Sequence, residues 1–332
     1  MGNASDVCCK FRGSVAALDA ATGSRLWQGY TVNEPARPTE KNAAGTQLWG
    51  PSGAGIWSAP TVDAQLKVLY VGTGDNYSDP PTDTSDAILA LDLDSGAIKW
   101  KAAVHLGGFM EHWLFDFGSS PILVAQPGGQ RILIAPQKSG VVHALDPEQQ
   151  GRVLWEVRVG EGARGVEWGG AADAENAYVA VSDVGLTLES GDKFELGKSR
   201  LLYDSHKGGG IFALRVTDGK QVWYSAPSKT SCVNHTRCSP AQSAAVSVIP
   251  GVVFSGAVDG HLRAYSTQNG RVVWDFDTVL DYATVNAVKA RGGSLDGPGP
   301  TIVDGVLYTE SGYGFWGGMA GNVLLAFSVD GK

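Results

Sequence analysis

The chain has 332 residues, a net charge of −8 and a pI of about 5.2, with charged residues at only 18%. No basic cluster stands out, which argues against a nucleic-acid footprint, and no apolar run is long enough to span a membrane. Forty-five glycines and 9% aromatics suit an all-β protein with many tight turns.

The N-terminal stretch MGNASDVCCKF has no apolar h-region, so no export signal is visible in this chain. From there one unit recurs: VAALDAATGSRLW at 15–27, ILALDLDSGAIKW at 88–100, VHALDPEQQGRVLW at 142–155, IFALRVTDGKQVW at 211–223 and LRAYSTQNGRVVW at 262–274. A sixth copy, LLAFSVDG at 324–331, stops before its Trp. In the first five, Trp27, Trp100, Trp155, Trp223 and Trp274 each follow a turn glycine by four residues. Each unit reads as strand, turn, strand. The Asp or Ser before the turn is placed to bind turn amides, the glycine supplies a positive φ, and the indole needs an acceptor for its N–H.

A second strand–turn–strand pattern precedes most units, as in SAPTVDAQLKVLYVGT and SAAVSVIPGVVFSGA. The two together predict four antiparallel strands per repeat. That is a β-propeller, in which no blade buries both faces alone. The first unit has no strand pair before it and the last lacks its closing strand, so the sequence reads as an incomplete propeller forming one domain over 1–332. Segment 183–210 is longer than a blade connection needs and reads as an insertion; GGSLDGPG at 292–299 reads as a loop.

One stretch does not repeat. VGTGDNYSDPPTDTSD at 71–86 places Asp75, Asn76, Asp79, Asp83 and Asp86 in a polar loop just before a repeat strand. The repeats read as scaffold and this loop as chemistry. Cys232 and Cys238 bracket a short polar loop and predict a disulfide, which implies an oxidising compartment. The six histidines, His105, His112, His143, His206, His235 and His261, show no metal-ligand spacing and read as surface or structural. No dinucleotide, phosphate-loop or Ser-hydrolase motif stands out.

The turn unit resembles the tryptophan-docking repeat of the PQQ-dependent quinoprotein alcohol dehydrogenases. The resemblance runs through CCKFRGSVAALDAATG, GTGDNYSDPPTDTSDAILALD, DFGSSPIL, QKSGVVHALD and SGYGFWGGMAGNVLLAF, in order over nearly the whole chain. It implies an eight-bladed propeller holding PQQ and Ca²⁺ near its axis, here represented in part. It also implies an alcohol or polymer substrate, a cytochrome c electron acceptor, and a periplasmic or secreted location. The chain has no C-x-x-C-H and so no haem-carrying cytochrome domain of its own.

Residue by residue, the resemblance implies that Trp57, beside Gly53, Ala54 and Gly55, stacks on the quinone. Lys138 touches the quinone oxygens and Arg12 clamps a PQQ carboxylate. Asp75, or Asn76 one residue on, ligates the ion with a hard oxygen. The catalytic Asp follows this ligand, which leaves Asp83 and Asp86 as rivals. Glu167, Trp168 and the Phe315-Trp316 pair fall where other blades add rim contacts. Adjacent Cys8 and Cys9 resemble the vicinal disulfide of methanol-type enzymes, yet Cys8 also falls where those enzymes have a Ca²⁺-ligating Glu, and a thiolate is a poor ligand for that ion. A second class stays open: the same repeat builds non-enzymatic propellers that bind protein partners, and a fragment that keeps the fold without the cofactor would be inactive.

Overall fold

A computed structural model describes residues 10–103, 115–162, 164–188, 201–233, 237–313 and 317–329. Cys8, Cys9 and Trp316 lie outside the described residues, as do His105, His112 and His235. The described residues are all-β; the helical element among them is a 3₁₀ turn, Pro147–Gln149, capped by Asp146. No helix among them is long and apolar enough to cross a membrane.

The chain divides into two compact units, Met1–Val157 and Arg158–Lys332. The first opens with a hairpin, Ser14–Leu18 and Arg25–Tyr30. Two four-stranded antiparallel meanders follow: Thr61–Asp63, Val68–Gly72, Ala87–Asp92 and Ile98–Ala103, then Ile122–Ala125, Arg131–Pro136, Val141–Asp146 and Arg152–Arg158. The second unit repeats the pattern. Its first sheet is Ala171–Ala172, Asn176–Ala180, Ile211–Arg215 and Gln221–Ser225; its second is Val246–Ile249, Val252–Gly256, His261–Ser266 and Val272–Asp277. A three-stranded sheet, Thr301–Val303, Val306–Ser311 and Val323–Ser328, closes the described chain.

These are the blades read from the sequence, with two strands in the first partial copy and three in the last. Segment 183–210 is an insertion between the second and third strands of its blade, and Leu186–Leu188 pairs there with Leu201–Tyr203.

The repeat works by docking a Trp on the turn of the next blade, as Trp27, Trp100 and Trp223 do on Gly96, Gly151 and Gly270. Trp27 Nε1 donates to the Leu93 carbonyl at 3.0 Å, and a Cβ built on Gly96 would lie 2.4 Å from the Trp27 ring. Gly96 has φ +73, so backbone conformation and the indole face both require glycine. Trp223 does the same in the second unit, donating to Thr267 O at 2.8 Å and lying on Gly270. Each docked indole stabilises the blade pair by roughly 2–3 kcal/mol through apolar burial. The turn aspartates act as expected: Asp92 Oδ1 accepts from the Asp94 and Ser95 amides and from Ser95 Oγ.

Between blades the sheets bury both faces. In the first unit Tyr70, Ile88, Phe117, Leu133 and Leu145 form one core with Trp100 packed on it. In the second, Tyr178, Ile211, Trp223, Val253 and Tyr265 do so. Buried ion pairs tie neighbouring sheets. Arg131 Nη1 donates to both Asp63 oxygens at 2.9 Å and its Nη2 reaches Glu148 at 2.9 Å. The Cys232–Cys238 disulfide is formed.

Candidate active site

The end of the strand Val68–Gly72 feeds a short loop, Thr73–Asp75, that is held from three sides by backbone. Gly74 N donates to Gly55 O, Ala54 N to Asp75 O, and Asp86 N to Gly74 O. From the next blade, Phe117 N donates to Thr73 O and Lys138 N to Asp116 O. Five stretches of the sequence are thereby fixed edge to edge. Two non-glycine residues here, Ala54 and Asp86, take left-handed φ of 50 and 47, the kind of local strain that collects where geometry is over-determined. At Gly53 a Cβ would lie 2.5 Å from Asp75 O and from Tyr77 N, so no larger residue fits.

This frame brings together Asp75, Asp86 and Asp116, each offering an oxygen within 4.8 Å of the others. Lys138 Nζ lies 3.8 Å from Asp116 Oδ2 and 6.0 Å from the centroid of the Trp57 ring. A Cβ on Gly74 would sit 3.2 Å from both the Asp116 carboxylate and Trp57 Nε1, which shows how closely the indole and the carboxylate approach. Trp57 is half-buried.

Burial is the main force on these acids. It raises the Asp86 carboxyl to about 8, with the Asp116 charge adding and Lys138 opposing. Asp75 is driven up by burial and then by Asp116. Asp116 is also raised by burial, but Lys138, Asp75 and the Trp57 N–H all pull it back. Asp75 Oδ1 and Asp116 Oδ1 are buried with no hydrogen-bond donor on them. With all three acids ionised and Lys138 charged, the group carries two uncompensated negative charges. Carboxylate oxygens alone, buried and lacking donors, fit a hard divalent cation. The half-buried indole and the lysine fit a flat, anionic ring beside it.

Other residues singled out in the sequence fall elsewhere. Asp83 is not with its rival Asp86; its side chain is 57% exposed and pairs with Lys101 at 2.5 Å. Asn76 Oδ1 accepts from Thr82 N at 3.2 Å and Oγ1 at 2.9 Å, while its Nδ2 donates to Ser85 Oγ at 2.7 Å. Its amide oxygen is thus committed to clamping the acidic loop. Arg12 Nη1 donates to the Val32 and Asn33 carbonyls at 3.1 and 3.0 Å, and its guanidinium lies 3.9 Å above the Tyr30 ring. Glu167 and Trp168 belong to the second unit, where Trp168 Nε1 donates to Asp296 Oδ1 at 2.9 Å and Ser243 Oγ to the same oxygen at 2.8 Å. Of the histidines, buried His143 pairs with Glu156 at 2.8 Å and His261 with Asp275 at 2.7 Å.

Asp116 was not singled out from the sequence. Its signal is a lone carboxylate between Phe115 and Phe117, a short turn ahead of the apolar strand that opens a blade. A charge there has no surface to occupy, so it needs partners inside.

The sheets and the carboxylate–lysine–indole group define a quinoprotein-type propeller domain. Residues 5–165 match the family model for the PQQ-type β-propeller domain of glucose, ethanol and alcohol dehydrogenases. The chain is similar to quinoprotein alcohol dehydrogenases, with the family match lying in its N-terminal half. It is 42% identical to a polyvinylalcohol dehydrogenase of a Pseudomonas species over 98% of this chain and 52% of that protein. It is 39% identical to the polyvinylalcohol dehydrogenase of a Sphingopyxis species, with the same coverage of 98% and 52%. The quinohemoprotein alcohol dehydrogenase ADHIIG of Pseudomonas putida shares the fold, with a TM-score of 0.60 at 17% identity, covering 94% of this chain and 53% of that one. The chain therefore spans about half the length of the curated relatives it matches.

Proposed function

We propose that this chain carries the reaction centre of a PQQ- and calcium-dependent dehydrogenase of secondary alcohols, with polyvinyl alcohol as substrate class. The observation that carries this reading is the meeting of three largely buried carboxylates, Lys138 and Trp57 at one point. The buried Asp75 Oδ1 and Asp116 Oδ1, which lack donors, favour this reading over a partner-binding scaffold built on the same repeat.

In this reading Asp75 and Asp86 hold the calcium ion, Trp57 stacks on PQQ, and Lys138 faces its quinone oxygens. PQQ when bound supplies the two-electron oxidant, and calcium polarises its carbonyl as a Lewis acid. Asp116 is the general base. It stands against the indole and the ammonium, which pull its burial-raised carboxyl back toward the ionised form that can accept the proton of a substrate hydroxyl. Gly74 keeps a side chain away from the Trp57 indole N–H and the Asp116 carboxylate. Electrons pass on to a cytochrome c. The protein works in the periplasm or outside the cell, an assignment that the Cys232–Cys238 disulfide supports.

The test is reconstitution of the chain with PQQ and calcium, followed by dye-linked oxidation of polyvinyl alcohol and of short secondary alcohols. Dye reduction is expected to need both cofactors. Uptake of PQQ with no alcohol-dependent dye reduction would contradict the catalytic reading.

A further inference from the structure

A cleft of about 740 Å³ lies in the first unit, apart from the three acids. That volume is in the range of ligand sites. Its walls are the segment Thr31–Glu34, the loop Pro80–Thr84 and the strand stretch Ile98–Lys101, with Pro51 at one side.

The lining has two kinds of surface. Pro51, Pro80, Pro81, Ile98 and Trp100 offer apolar faces. Between them stand hydrogen-bonding groups: Asn33, Thr82, Asp83, Lys99 and Lys101. The charges are already matched. Lys101 pairs with Asp83 at 2.5 Å, Lys99 with Asp92 at 3.6 Å, and Arg37 with Glu34 at 3.7 Å. A polyanion or polycation finds no net field here. A neutral chain of alternating methylene and hydroxyl groups finds both apolar faces and hydrogen-bond partners.

The cleft is mechanically joined to the acids. Its Pro80–Thr84 wall is the loop that ends in Asp86. Asn76 clamps Thr82 and Ser85, and Thr73 Oγ1 donates to Thr84 O at 2.7 Å. Asp83 and Asp86 are three residues apart, so this wall stands within about 10 Å of the Asp86 backbone. A polymer cannot be enclosed whole in a reaction pocket, and its flanking units need a surface within a short run of chain.

We propose that this cleft binds the stretch of a neutral polyol chain that flanks the hydroxyl being oxidised, a role that rests on the dehydrogenase reading above. Binding there gives a polymer an affinity that short alcohols lack, since interactions away from the reacting bond hold the substrate in place.

The test is hydrogen–deuterium exchange on the cofactor-free chain with and without a polyvinyl alcohol oligomer, with pentane-2,4-diol as the short control. Protection by the oligomer of 31–34, 80–84 and 98–101, and none by the diol at equal hydroxyl concentration, is expected. Asn33→Trp, which fills the cleft, is expected to raise the oligomer's Kd at least tenfold in direct titration. No oligomer binding, protection confined to other segments, or an unchanged Kd in the variant would overturn the proposal. Calcium-dependent PQQ uptake is measured in parallel. If uptake occurs and the cleft stays unprotected, the cleft assignment alone falls. If the cleft is protected and PQQ is never taken up, polyol binding stands and the dehydrogenase reading falls.

Discussion

Asp116 sits where opposing influences meet: burial raises its carboxyl, while Lys138, Asp75 and the Trp57 N–H pull it back. Replacing it by Asn keeps the shape and removes the base, so the reconstituted chain is expected to lose roughly 10²–10⁴-fold in turnover of secondary alcohols while still taking up PQQ. Steady-state kinetics beside a PQQ titration check this. The acids also set a pH dependence. Asp86 has a folded pKa raised to about 8, above its ordinary value of 3.8, and Asp75 and Asp116 are raised as well. A carboxyl whose folded pKa is raised favours the folded state while protonated. Its contribution is complete below about pH 4 and is lost as pH rises through about 8. The melting temperature of the calcium-free chain should therefore fall across that window, and calcium should restore it with release of protons. Thermal melts across pH with and without calcium measure it; no calcium effect at pH 8 would count against the ion site. Much of this centre was legible in the sequence. Trp57, Asp75, Asp86 and Lys138 stood out because their types and neighbours resemble a family pattern. Asp116 did not, because its meaning lies in a contact with residues of another blade. Asp83 resembled Asp86 in sequence, and only the turn of the loop separates the buried acid from the exposed one.

At the scale of the blade, the docking turn makes a sharp comparison possible. Gly96 and Gly23 occupy equivalent turns with φ of +73 and +70, but only Gly96 faces an indole, whereas nothing lies within 4 Å of a Cβ on Gly23. Gly23→Ala is expected to cost about 1 kcal/mol from backbone strain alone. Gly96→Ala adds displacement of Trp27 and is expected to cost about 3 kcal/mol, as overpacking does. Urea denaturation of both variants checks the difference, and equal losses would mean the indole contact contributes nothing. Arg131→Met leaves Asp63 buried without its guanidinium partner and is expected to destabilise by about 3–5 kcal/mol in the same assay. These elements were the most readable part of the chain. Turn glycine, Asp cap and Trp recur with fixed spacing, and each has a local physical reason. The committed amide of Asn76 and the turn of Arg12 toward Val32 and Asn33 were not readable, since both depend on how loops fold back.

For the molecule as a whole, the relevant fact is that a chain about half the length of its relatives holds the three acids, the lysine and the indole within one compact unit, 1–157. All-β class and blade count followed from the repeat, because a period of one four-stranded sheet is a property of the whole sequence. The central claim is that this unit binds a planar quinone beside a hard cation. Its most direct measurement is titration of PQQ into the purified chain, followed by quenching of indole fluorescence, with calcium present and with calcium chelated. The account predicts saturable uptake that requires calcium and is weakened at least tenfold by Trp57→Ala. Absence of uptake at any calcium concentration, or uptake indifferent to both calcium and Trp57, would contradict it.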